Sequence, residues 1–125
     1  MLTGLSIRDV VLIEALDLEF AGGLGVLTGE TGAGKSILLD ALGLALGARA
    51  DSGLVRSGSD KAQVTASFEA SAHVAAFLAD NDIDIDHHEP LIIRRSVKAD
   101  GGSKAFINDQ PCSAALLREL GAALV

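Results

Sequence analysis

Apolar and polar residues alternate with a period of two along several stretches of the chain, which predicts half-buried strands. Over Ala15–Phe20, Leu16, Leu18 and Phe20 alternate with Asp17 and Glu19. Over Gln63–Glu69, Val64, Ala66 and Phe68 share one face. Leu2–Ile7 alternates more loosely, and Val10–Ile13 is rich in β-branched residues. Leu91–Val97 and Lys104–Asn108 read as two strands of a hairpin, joined by Ala99-Asp100-Gly101-Gly102-Ser103. Leu24–Thr28, apolar through Leu27, suits a central strand covered on both faces.

The helical period marks three further segments. Residues Lys35–Leu46 carry one charge after Lys35, at Asp40, so this helix should be buried on most sides. Gly47 is placed to stop it. Ser71 is a candidate cap for a helix presenting Val74, Phe77 and Leu78. Pro111 and Ser113 should open a third helix with Leu116, Leu117 and Leu120 on one side and Gly121 at its end. Ala122–Val125 then resembles the start of another buried strand. Ala48–Asp60 and Asp80–Glu89 read as polar connections. No repeat, low-complexity tract or linker divides the chain, so these elements predict one α/β domain spanning residues 1–125.

Between the apolar strand and the first helix lies Gly29-Glu30-Thr31-Gly32-Ala33-Gly34-Lys35-Ser36. It satisfies every defined position of the G-x-x-x-x-G-K-[ST] phosphate loop, in the strand–loop–helix setting that the motif requires. Gly29, Gly32 and Gly34 let the backbone curl so that its N–H groups point inward at a triphosphate. The helix start near Lys35 adds the positive end of its dipole. The Lys35 ammonium should reach the β- and γ-phosphates, and the Ser36 hydroxyl should ligate Mg²⁺. Hydrolysis needs more: a second acid for Mg²⁺ and a group that positions water. Downstream of Ser36 no apolar run of four ends in Asp or Glu. Val10–Ile13 followed by Glu14 has that shape but precedes the loop, and Glu14 reads as an exposed turn residue. The chain should therefore hold ATP and Mg²⁺ without carrying the catalytic acids.

Composition limits the partners. The formal net charge of −7 opposes contact with DNA by the chain as a whole, so any contact needs a local basic patch. Absence of Trp and Tyr, with four Phe, leaves little for base stacking. The single cysteine, Cys112, excludes an internal disulfide and a multi-cysteine metal site, and reads as a small apolar filler. No apolar run approaches the ~18 residues of a membrane helix, and the first residues do not form a signal peptide. The expectation is a cytoplasmic chain with ample core material, its hydrophobic content being 49 %.

The strand-like runs that precede the loop resemble the ATP-binding heads of the ABC and SMC class, in which an antiparallel β-layer sits beside the nucleotide-binding sheet. Three blocks are similar to the RecN family of DNA repair ATPases: the loop continued by Ile37-Leu38-Leu39-Asp40-Ala41-Leu42; Leu46-Gly47-Ala48-Arg49-Ala50-Asp51 with Val55-Arg56-Ser57-Gly58; and Arg94-Arg95 through Gly102-Ser103-Lys104-Ala105-Phe106-Ile107-Asn108. The resemblance covers essentially the whole chain. It implies a P-loop NTPase fold and a role in repair of DNA double-strand breaks and recombination, with nucleoid association when bound to DNA. It also implies the N-terminal lobe of a split head, lacking the Q-loop glutamine, the coiled coil, the signature motif and the Walker B acid. Two such heads would sandwich two ATP molecules, the C-terminal lobe of the same protein completing each. By this reading the lobe alone should bind ATP weakly and hydrolyse it negligibly. Two features depart from the family: Asp109 follows Asn108 where relatives often carry Gly, and the basic residue nearest Val11 and Leu12 is Arg8. Arg49 and Arg56 fall where such heads can place an arginine on DNA or on the opposite nucleotide, and a solvated loop arginine is the equal alternative.

Other candidates are less specific. Asp80, Asp82, Asp84 and Asp86 fail the EF-hand pattern, which needs Gly at position six and Glu at twelve. The adjacent His87 and His88 lack zinc-ligand spacing, and His73 should be partly exposed. Arg94, Arg95, Lys98 and Lys104 place four cations around the hairpin, either as a DNA-contact patch or, the favoured reading, as a solvated turn. Two other function classes compete. A small-molecule P-loop kinase usually begins with the loop strand, which the preceding strands oppose. A non-enzymatic domain with a vestigial loop is opposed by the intact Lys35 and Ser36.

Overall fold

A computed structural model describes residues 2–10, 13–19, 40–48, 52–85 and 88–124. Six strands form one antiparallel sheet: β1 (Leu2–Val10), β2 (Ile13–Glu19), β3 (Lys61–Phe68), β4 (Leu91–Lys98), β5 (Ser103–Ile107) and β6 (Gln110–Cys112), in the order β2-β1-β3-β4-β5-β6. Among the described residues three α-helical segments accompany it, α1, described over residues 40–45, α2 (Ala72–Ala79) and α3 (Ala114–Leu124), with a short 3-10 helix at Ser52–Leu54. The Leu24–Thr28 run and the first part of the Lys35–Leu46 helix lie outside the described residues.

The period-two pattern sets the two faces of the sheet. In β3 the inward residues are Ala62, Val64, Ala66 and Phe68; in β4 they are Leu91, Ile93, Arg95 and Val97. Leu5 faces Ala66 and Ile7 faces Val64 across the β1–β3 pair, and Ile93 faces Ile107 across β4–β5. Ala41, Leu44 and Ala45 of α1, Val74 and Leu78 of α2, and Leu117 and Leu120 of α3 join these in a single buried cluster. Burial of each large aliphatic side chain contributes roughly 1.5–3 kcal/mol, so this layer of helices is what keeps the sheet from being solvated on both sides.

Local sequence determines the element ends. Ser71 Oγ accepts a hydrogen bond from Val74 N at 3.2 Å, capping α2 as its position predicts. Ser113 Oγ accepts from Leu116 N at 3.1 Å and starts α3. Asn108 and Asp109 both adopt positive φ, 47° and 67°, between the paired Ile107 and Gln110, the backbone of a two-residue hairpin turn. Asp109 thus takes the left-handed position without glycine, at the modest strain that Asp tolerates.

β1 ends at Val10, which pairs with Ile13 at the start of β2. Asp9 has φ 56°, so the chain bends between exposed Arg8 and buried Val10. Four sequence expectations are corrected. Glu14 is exposed within β2 and not in a turn. Pro111 belongs to the edge strand β6, where its missing N–H is harmless, and does not open a helix. Gly121 does not end α3, which continues to Leu124, and residues 122–124 are helical, not a strand. Gly121 is buried against Leu46, where a Cβ would lie 3.3 Å from the Leu46 Cβ, so its small size serves helix approach.

Candidate functional site

The phosphate-loop residues Gly29, Glu30, Thr31, Gly32, Ala33, Gly34, Lys35 and Ser36 lie outside the described residues, as do Arg49, Asp86 and His87. What the structure describes is α1 over residues 40–45, which follows the loop in sequence, and the turn after it. There the chain closes in a Schellman motif: Ala48 N donates to Gly43 O at 2.9 Å, and Gly47 N to Leu44 O at 3.2 Å. Gly47 has φ 99°, as that motif requires, and stops the helix where the sequence predicts.

Two arginines converge on this helix end. Arg95 of β4 donates from Nη1 to Leu44 O at 3.1 Å and to Ala48 O at 3.0 Å. Arg118 of α3 donates from Nη1 to Gly47 O at 3.0 Å. Arg95 is 2 % exposed and pairs with no carboxylate among the described residues. Its charge is met by the carbonyls and by the negative end of the helix dipole. Burial, reinforced by the neighbouring Arg118 cation, pulls the Arg95 guanidinium below its ordinary value. Such a group stays charged at any physiological pH. Burial also pushes the Cys112 thiol up, an effect that the nearby Arg95 charge partly offsets.

The four hairpin cations are therefore not one patch. Adjacent strand residues face opposite sides, so Arg94 points away from Arg95. Arg94 stacks its guanidinium 4.5 Å from the Phe106 ring centroid and lies 3.5 Å from an Asp109 carboxylate oxygen. On the same outer face Arg8 and Asp17 form a two-bond ion pair of 2.9 and 3.1 Å. That occupies the one basic residue near Val11 and Leu12. Lys61, directly opposite Lys98, and Lys104, opposite Ser96, complete the basic residues of the outer face. These three lysines are exposed and have no ion-pair partner among the described residues. The facing strands also bring Ser6, Gln63, Thr65, Ser67 and Ser96 to this side. The sequence reading named Lys98 and Lys104 but missed Lys61, which only the β3–β4 register brings to them.

Arg56 is half-buried, and its backbone N donates to Asp9 O at 2.8 Å, tying the connection to the end of β1. His73 is exposed, beyond the partial exposure expected. Cys112 is partly buried against the core, as a filler would be. Among the described residues no three His, Cys, Asp or Glu side chains gather as metal ligands. An open cleft of about 400 Å³ at one end of the sheet is lined by Glu69, His88 and Glu89 among others. Its two carboxylates make it a poor receptor for a triphosphate. No helix among the described residues is long and apolar enough to cross a membrane.

Comparison with known proteins places this arrangement. A family model described as "AAA domain" matches residues 5–113. The DNA repair protein RecN of Haemophilus influenzae is 44 % identical over the whole of this chain, that of Vibrio cholerae 43 %, and that of Bacillus subtilis 41 %. The chain spans 22–23 % of the length of these relatives. Among solved structures, one from work on ATP-driven dimerization and DNA-stimulated activation of SMC ATPases superposes with a TM-score of 0.75. It is 22 % identical, and the match covers 99 % of this chain and 80 % of that one. The Smc head domain of Pyrococcus yayanosii gives 0.72 at 20 % identity, over 99 % of this chain and 25 % of the other. At such identities these likenesses establish the fold, that of an SMC-type head. The chain belongs to the AAA domain family, as an SMC-head-like member similar to the N-terminal part of the RecN proteins.

Proposed function

We propose that this chain is the ATP-binding N-terminal lobe of an SMC-like ATPase that acts in DNA double-strand break repair. The observation that carries this reading is the complete phosphate-loop sequence Gly29–Ser36, followed in sequence by α1, whose end is gripped by the antiparallel sheet and α3. Lys35 and the loop N–H groups would hold the phosphates of ATP, and Ser36 would hold Mg²⁺. Mg²⁺ held there would supply positive charge against the phosphates. This chain contributes binding and orientation; the acids that complete hydrolysis would come from a C-terminal lobe. Two such heads would close around ATP as a homodimer.

The outer face of the sheet supplies a surface for DNA. Lys61, Lys98 and Lys104 hold like charge together, which opposes sheet pairing unless a polyanion neutralises it. This local cluster is how an acidic chain would meet a phosphate backbone. The reading is tested by assaying ATP turnover in the isolated chain and in the full-length protein. We expect turnover only in the full-length protein, lost there in Lys35→Ala. A steady rate from the isolated chain that Lys35→Ala removes would overturn the division of labour. In the full-length protein, reversal of Lys98 and Lys104 to Glu should weaken DNA binding at low salt, and unchanged binding would remove this face from the account.

A further inference from the structure

Charge is not spread evenly along the outer face of the sheet. Lys61 of β3 lies directly opposite Lys98 of β4, and Lys104 of β5, opposite Ser96, stands diagonal to Lys98. Directly opposed Cβ atoms are ~5 Å apart and diagonal ones ~7–8 Å, so the three ammonium groups share one end of the sheet. The two nearest carboxylates turn elsewhere. Asp60 O accepts from Ala99 N, which carries the ladder one residue past Lys61, and alternation then sends Asp60 away from the lysines. Asp100 Oδ1 accepts from Gly102 N at 3.0 Å, within its own turn. Towards the centre the face carries the half-exposed, uncharged Ser6, Gln63, Thr65 and Ser96. The arginines there are paired, Arg8 with Asp17 and Arg94 with Asp109. At the far end Glu89 and Asp109 line one cleft with exposed Ile92, and Glu69 lines a second cleft with Glu89. Ile92 and Lys98 are six residues apart in β4, or ~20 Å along a strand. That exceeds the Debye length of ~8–10 Å at ordinary salt, so the acidic end does not cancel the lysines.

We propose that a DNA backbone crosses the strands at the Lys61, Lys98 and Lys104 end and does not run along β3 and β4. This placement rests on the reading that the outer face meets DNA, and adds how the DNA lies on it. A path along the strands would leave the lysines, cross an uncharged centre and end over Ile92 beside the carboxylates of Glu89 and Asp109. A path across them passes over β3, β4 and β5, two strand spacings or ~10 Å. Successive phosphates of one DNA strand advance ~3.4 Å, so that width takes in about three, one for each lysine. Such contacts fix the position of the backbone and carry no sequence information. The Phe106 ring on this face already carries the Arg94 guanidinium, so base stacking is not what holds the DNA.

The test uses the full-length protein and a labelled DNA duplex of mixed sequence, with Kd followed against salt concentration. Each phosphate contact contributes about 0.9 to the slope of log Kd against log salt. Lys61→Gln, Lys98→Gln and Lys104→Gln should each lower the slope by that amount, and the triple variant by about 2.7. All three side chains are exposed, so the variants should keep the parent's circular dichroism. Ser67→Lys adds a cation at the far end of β3, opposite Ile92, and Glu89→Gln removes an anion there. Both should leave the slope unchanged and Kd within about 2-fold, because that end lies beyond screening distance of the crossing. A steeper slope and tighter binding in Ser67→Lys, or in Glu89→Gln where Ser67→Lys does not fold, would show a backbone running along the strands. That result overturns the crossing and leaves the DNA-binding face standing. An unchanged slope in the triple variant would overturn both, since the outer face would then not meet DNA.

Discussion

Replacing Gly47 by alanine perturbs the point where the described helix end, β4 and α3 meet. Two costs can be separated there. The first is conformational: at φ 99° an L-residue is strained, by roughly 1–2 kcal/mol. The second is steric, because the new methyl would lie 2.6–2.7 Å from Arg118 N, Ala114 O and Arg118 Cγ. Two of those atoms are backbone and cannot rotate away, so α3 must move, at roughly 1–3 kcal/mol for such overpacking. The total is about 2–5 kcal/mol. For a domain of this size that lowers Tm by roughly 8–20 °C, at about 4 °C per kcal/mol. Gly58 provides the control: its φ is 89°, yet a Cβ there meets nothing within 4 Å. Gly58→Ala should therefore show the conformational cost alone, about 4–8 °C. Thermal and urea unfolding of the two variants measure both. A Gly47→Ala loss no greater than that of Gly58→Ala would refute the close packing of α3 on this turn, and with it the two-sided grip.

Two further outcomes follow from the titratable groups. The Arg8 hydrogen bonds, assisted by Ser6, hold the Asp17 carboxyl below the usual carboxylate range. Its folded value is depressed, so whatever stability it contributes is present above the unfolded value near ~3.9 and is lost as pH falls through the folded one. The Asp17 carboxyl followed by NMR should titrate at lower pH than a free aspartate and shift upward in Arg8→Gln; coincident curves would show that the pair does not persist in solution. Burial raises the Cys112 thiol, so at pH 8 it should react with Ellman's reagent more slowly in the native chain than in urea, and equal rates would contradict its packing against the core.

The alternating positions of β2, β3 and β4 were readable in sequence because one face of the sheet is buried and the other is not. Ser71 and Gly47 were readable for a similar reason: each has a local backbone requirement that few residues meet. Arg95 was harder. The sequence presents Arg94-Arg95 as a cationic pair, yet Ile93, Arg95 and Val97 share one strand phase. That phase alone places Arg95 inside, and only the tertiary contact with residues 44 and 48 shows what receives its charge. Gly121 misled because a glycine near a helix end and a glycine at a helix crossing look the same in sequence. Pro111 misled because a three-residue edge strand carries no periodicity. Lys61 and Lys98 stand 37 positions apart, and no local pattern predicts that their strands align them.

The account rests most heavily on residues 29–36 as the seat of the nucleotide. Titrating the full-length protein with labelled ATP in the presence of Mg²⁺, and repeating it with Lys35→Ala, tests that directly. The account predicts saturable binding in the parent that Lys35→Ala abolishes, with the fold unchanged by circular dichroism. Equal affinity in parent and variant would contradict it.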